Sequence, residues 1–142
     1  MKRGEIYILE TSDVKGNIQA GKRPVIIVQN DIGNTHATTT IVCCITSKTK
    51  KGLPMHLEIG KVGGLKLDST ILCEQILTVN KSDLRQYVGA VTKTDTLKRL
   101  DRCLSLSLGI TQRSNNYGIN TRPNARTSSW NRFTRWLPWR RS

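Results

Sequence analysis

The chain has 142 residues, with 23 Lys and Arg against 10 Asp and Glu and a net charge of +13. That length supports one folded domain with a substantial core, and the excess of cations favours a polyanionic partner, because each neutralised phosphate releases condensed counterions. Neither a bilayer-length apolar run nor a signal-peptide pattern is present, so a cytoplasmic protein is expected, and two histidines, His36 and His56, offer few ligands for a zinc site. Charge by itself leaves RNA, DNA, an acidic protein and an anionic membrane open.

In chain order, Glu5 to Leu9 follows Gly4 as a first strand, and the polar stretch from Thr11 to Lys22, with Gly16 and Gly21, reads as a mobile loop. Pro24 to Gln29 is rich in β-branched residues and starts on Pro, a tolerated strand opening. Asp31 to Asn34 has turn chemistry. Thr38 to Ile45 is a further strand, and in it Cys43 and Cys44 must point to opposite faces. With apolar neighbours and no Cys-x-x-Cys pair, the four cysteines (Cys43, Cys44, Cys73 and Cys103) read as buried free thiols in a reducing compartment.

Met55 to Ile59 alternates apolar and polar, Gly60 to Gly64 turns the chain, Ser69 to Val79 is a long strand and Gln86 to Val91 a weaker one. From Thr92 the period changes. Leu97, Leu100, Leu104 and Leu108 recur at helical spacing, Thr92 with Asp95 resembles a capping box, and Gly109 is a stop signal. Five or six short strands followed by one helix predict a mainly β fold: a small barrel with a helix packed on it.

Residues 1–110 carry 16 basic and 10 acidic groups, whereas residues 111–142 carry seven Arg and no acid. We therefore expect a folded body, 1–110, and a disordered basic tail, 111–142. In the tail Trp130, Phe133, Trp136 and Trp139 interleave with Arg132, Arg135, Arg140 and Arg141. That pattern fits base stacking on RNA, an anionic membrane interface, or an extension without function.

Four segments of the body carry a resemblance. Lys2-Arg3-Gly4-Glu5-Ile6-Tyr7, the run Gln19-Ala20-Gly21-Lys22-Arg23-Pro24 with the strand Val25 to Asp31 after it, Ile45-Thr46-Ser47, and Leu72-Cys73-Glu74-Gln75-Ile76 occur in that order. Together they resemble the motifs of the MazF/PemK toxins, Gram-positive members in particular. The resemblance implies an SH3-like barrel of the CcdB/MazF/PemK kind, a homodimer, and the toxin of a type II toxin–antitoxin system. The implied activity is sequence-specific, metal- and cofactor-independent cleavage of single-stranded mRNA, leaving 2′,3′-cyclic phosphate and 5′-hydroxyl ends. It implies further that Arg23 and Thr46 are catalytic and that Gln19, Asn30, Ser47, Lys48, Ser69, Glu74 and Gln75 bind substrate. Relatives favour a U- and A-containing pentanucleotide. The implied partner is an acidic antitoxin of the MazE/PemI kind, through which alone DNA would be met.

The residue types suit the chemistry. Attack by a 2′-hydroxyl loads negative charge onto phosphorus, and a guanidinium donates bidentately to phosphate oxygens without losing its charge. Pro24 fixes its own φ and biases Arg23 towards extended geometry, which aims the side chain. Thr46, at a strand end, can donate its hydroxyl to the same phosphate, and Lys48, Lys50 and Lys51 flank it as either phosphate grips or a solvated loop. The family's usual loop Glu is replaced by Ile18, and Arg is a poor proton acceptor at neutral pH, so the general base is not visible in the loop. Two other functions are weighed: a CcdB-like, non-catalytic binder of DNA gyrase, and an inactive RNA-binding relative.

Overall fold

The computed structural model describes residues 1–11, 21–48 and 52–110. The chain order is β1 (Glu5–Thr11), β2 (Gly21–Ile27), α1 (Asp31–His36), β3 (Thr39–Thr46), β4 (His56–Gly60), β5 (Ser69–Asn80), a 3-10 turn at Lys81–Asp83, β6 (Leu84–Ala90) and α2 (Thr94–Ser107). All pairings are antiparallel, and the sheet order is β4-β5-β3-β2-β1-β6. Six strands and a C-terminal helix are the architecture expected.

The two central strands explain their unbroken apolar runs. Ile26 and Cys43 face the main core with Ile6, Leu57, Ile71 and Cys73, while Val25, Ile27, Val42 and Cys44 face a second cluster with Leu9 and Leu84. Strands buried on both faces lose the polar alternation of a one-sided sheet. Cys43 and Cys44 thus do point to opposite faces, and all four cysteines are buried. In the main core the Cys73 thiol is pushed well up, first by its hydrogen bond with Cys43 and then by burial.

Helix α2 covers the main core with Leu97, Leu100, Cys103 and Leu104. Leu108, expected on that stripe, is the C-cap and is exposed. Beyond it Gly109, at φ +66, lets Gly109 N bond Leu106 O at 3.2 Å and Ile110 N bond Ser105 O at 2.8 Å, the Schellman pattern of a glycine stop. The expected capping box does not form. The N-cap is Lys93, with no side-chain cap bond, one residue past Thr92, so Asp95 sits in the first turn with no reciprocal partner.

Asp31 to Asn34, expected as a turn, opens α1 instead. Asn30 caps it by accepting from Gly33 N at 2.8 Å, and Asn34 is buried, accepting from Thr40 Oγ1 at 2.7 Å. Arg3 ties the start of the chain to both neighbours: its guanidinium bonds Val28 O and pairs with Asp101 of α2. Its backbone N–H donates to Asp31 Oδ1 at 2.7 Å, which holds that carboxyl below the usual carboxylate range.

No ladder joins β4 to β6 among the described residues; the turn after β4 closes the barrel there by contact. A side chain on Gly89 would overlap Gly63 O, and one on Gly64 would overlap Val88 O. Both positions have positive φ, +158 and +81, so glycine is needed there for conformation and for space.

Candidate active site

On the sheet face of the second cluster a groove of about 760 Å³ opens between the start of β2, the end of β3 and the segment before β5. Register places its key residues. Val25 pairs with Cys44, and carried two residues further that register sets Arg23 against Thr46; both side chains line the groove. Pro24 has no N–H to donate, which fits the ladder ending at Val25. On its other side Arg23 pairs with Leu9 of β1, so the half-buried side chain rises from the middle of a sheet rather than from a free edge.

Thr46 is half-buried, and its Oγ1 accepts Lys48 N–H at 3.2 Å. That bond occupies an acceptor position and leaves the hydroxyl proton to donate. Arg23 contacts the thiol of Cys44, which also lines the groove. Burial pushes the Cys44 thiol up and the guanidinium partly offsets this, so Cys44 stays a neutral wall rather than a thiolate.

The cationic residues of the lining are Lys22, Arg23, Lys48 and Lys66; neither a carboxylate nor an imidazole is among the described lining residues. Lys22 is tethered to Glu10 at 3.5 Å. A concave wall of cations is a site for a polyanion, and clefts of one charge sign concentrate such ligands. An adjoining cavity of about 350 Å³ shares Ser47, Lys48 and Ser69 with the groove and adds Glu58, Asp68 and Thr70.

Of the residues expected at the site, Arg23, Thr46, Ser47, Lys48, Ser69 and Gln75 meet in this groove. Asn30 does not: it caps α1. Glu74 does not line it either, its carboxylate being 2.9 Å from His56 Nε2. Gln19, Ile18, Lys50, Lys51 and the tail residues from 111 onward lie outside the described residues. Sequence reasoning missed Lys22, Cys44 and Lys66. Lys66 lies within the stretch Gly60 to Ser69, whose spacing announces only a turn; its charge next to a glycine-rich turn was the one available signal. Among the described residues no group of three or more His, Cys, Asp or Glu is arranged to hold a metal ion, and no helix is long and apolar enough to cross a membrane.

The described residues form a small antiparallel barrel covered by helix α2, with a cationic groove at the ends of two central strands. The profile of the PemK-like, MazF-like toxins of type II toxin–antitoxin systems matches residues 2–108, and the chain belongs to that family. The fold is shared with solved structures of low identity. An endoribonuclease in complex with its cognate antitoxin from a mycobacterial species is 24% identical with a TM-score of 0.66, over 78% of this chain and 97% of that one. The Mycobacterium tuberculosis toxin MazF-mt6 is 22% identical with a TM-score of 0.63, over 75% and 98%. MazF from Deinococcus radiodurans is 21% identical with a TM-score of 0.63, over 77% and 96%.

Proposed function

We propose that this toxin is a metal-independent endoribonuclease that cuts single-stranded mRNA in the groove between β2 and β3. The observation that carries the reading is the convergence of Arg23 and Thr46, from facing positions on two central strands, in a groove whose described lining residues include four cations and no carboxylate. In the reaction the ribose 2′-oxygen bonds to phosphorus as the bond from phosphorus to the 5′-oxygen breaks. The 2′-hydroxyl proton leaves and the 5′-oxygen gains one, giving a 2′,3′-cyclic phosphate and a 5′-hydroxyl. Arg23 holds the phosphate oxygens on which charge builds, and Thr46 donates its hydroxyl to the same centre; such preorganised donors act on the transition state more than on bound substrate. Lys48 and Lys66 grip flanking phosphates, and Ser47, Ser69 and Gln75 contact the strand. Water or a phosphate oxygen of the substrate is the acceptor we assign to the 2′-hydroxyl proton.

The family and the antitoxin complex among its structural neighbours support an acidic antitoxin that occupies the cationic groove, with DNA met only through that partner. A homodimer acting in the cytoplasm accords with this reading. The family profile ends at residue 108, which supports a toxin domain of 1–110 followed by a separate basic segment, 111–142. Removing that segment is expected to leave cleavage largely intact.

The test is incubation of the purified protein, in EDTA, with a long single-stranded RNA beside Arg23→Ala and Thr46→Ala. Discrete fragments with cyclic phosphate ends, lost in both variants, support the proposal. Intact RNA from the folded wild-type protein refutes it and turns attention to gyrase binding.

A further inference from the structure

The groove's wall at Gln75 belongs to a stretch of β5 that has left its ladder. Cys43 pairs with Ile76 and Cys44 with Leu72, so residues 73, 74 and 75 have no ladder partners on β3, although the Cys73 thiol bonds that of Cys43. Unladdered backbone next to a binding groove needs another restraint to hold a side chain in place. Cys73 is anchored by its burial in the main core and its thiol bond to Cys43, and two further contacts reach the stretch from the β4 side. Cys73 N bonds Met55 O at 3.2 Å, and Glu74 Oε1 lies 2.9 Å from His56 Nε2.

His56 is placed to make the second contact. It opens β4 opposite Leu72, so Glu74 is its diagonal neighbour, within reach of a long side chain. The imidazole is only 5% exposed, and its Nδ1 is buried with no hydrogen-bond partner among the described residues. The ring thus forgoes bonding at one nitrogen while making the bond at the other. The Glu74 charge also reaches the Cys44 thiol, which contacts Arg23, so the bulge and the cationic end of the groove are one neighbourhood.

We infer that His56 is a positioning residue for RNA: by holding Glu74 it fixes the 73–75 bulge and so aims the Gln75 carboxamide into the groove. The inference rests on the reading of the groove as an RNA site. A carboxamide presents both donors and an acceptor to a base edge or sugar. It bears on how the strand is held, whereas bond breaking belongs to Arg23 and Thr46 on the other wall. His56 therefore governs KM and binding rather than kcat.

The experiment pairs steady-state cleavage of a long single-stranded RNA with equilibrium binding of a 2′-O-methylated RNA of the same sequence, followed by fluorescence anisotropy. His56→Ala is expected to raise KM and Kd at least about fivefold with kcat within twofold of wild type. His56→Gln, whose amide can still donate to Glu74, is expected to restore both to within about twofold. Gln75→Ala should reproduce the loss, and adding it to His56→Ala should cost nothing more, because the two act through one contact. Should the alanine variant not fold, Glu74→Ala removes the same bond from the exposed side and is expected to give the same rise. A fall in kcat at unchanged KM, a glutamine variant no better than alanine, or full additivity with Gln75→Ala overturns the inference. Wild-type protein that binds but does not cleave defeats the ribonuclease reading alone, and the binding arm still decides the role of His56. Protein that neither binds nor cleaves RNA overturns both.

Discussion

Thr46→Val separates the chemistry of the groove from its architecture. The substitution keeps the branched Cβ and nearly the same volume in a strand position, and removes one oxygen. That oxygen accepts Lys48 N–H at 3.2 Å in an exposed setting, so the released N–H can turn to water. The stability cost is then at most about 0.5–1.5 kcal/mol, a melting shift of a few degrees in a domain of this size. If the hydroxyl donates to charge developing on the phosphate, its loss raises the barrier by about 2.7–4 kcal/mol, a fall in kcat of about 10²–10³-fold. The kinetic effect is thus at least about twice the structural one and appears in kcat rather than in the folded fraction. The assay is single-turnover cleavage of end-labelled RNA at saturating protein in EDTA, with circular-dichroism melts of the same samples. Thr46→Ser keeps the donor and is expected within about tenfold of wild type. A folded valine variant cutting within about threefold of wild type, or a serine variant as inactive as valine, refutes the assignment.

Gly89→Ala is expected to destabilise the domain by about 2–4 kcal/mol in chemical denaturation, since the new methyl overlaps Gly63 O at a φ of +158 that L-residues rarely adopt; an unchanged midpoint would show that the seam yields. Lys66→Ala should weaken RNA binding and reduce the slope of log affinity against log salt by about 0.7, one phosphate contact on a single strand; an unaltered slope removes Lys66 from the RNA path. Burial, with a smaller contribution from the Glu5 carboxylate 3.0 Å away, pushes the Tyr7 phenol from 10.0 up to about 12. Because the folded value is raised, this group's stabilising contribution is complete below pH 10 and is lost as pH rises towards 12. Ultraviolet titration should find a phenol ionising late, and Tyr7→Phe should abolish that step; a titration without that late step would contradict the assigned environment.

Most of the strands were legible because β-branched runs, clean alternation at 55–59 and the switch to helical spacing after Thr92 each leave a local signal; their order in the sheet was not. The two central strands read as strands from their β-branched runs, but their burial on both faces came only from the structure. What stayed hidden depended on contacts distant in sequence. Asp31 to Asn34 has turn chemistry, yet Asn34 is buried with Thr40, and the segment coils into α1. The site residues Arg23 and Thr46 could be named from motifs, but only the antiparallel register shows why they meet. Lys66 and Cys44 could not be found that way, since one lies in a turn and the other reads as plain core. Glu74 sits inside a motif linked to substrate, but its bond to His56 joins two strands 18 positions apart in sequence.

The barrel's closure at Gly63 and Gly64 against Val88 and Gly89 has a mechanical consequence. Elsewhere the wall is laced by hydrogen bonds, whose spacing can breathe; at this line main chain rests on main chain, with no side chain to trim. Bare backbone contact is a hard stop. The residues that follow, Leu65 to Leu67, form one lip of the groove, so that lip springs from a turn seated directly on the backbone of β6.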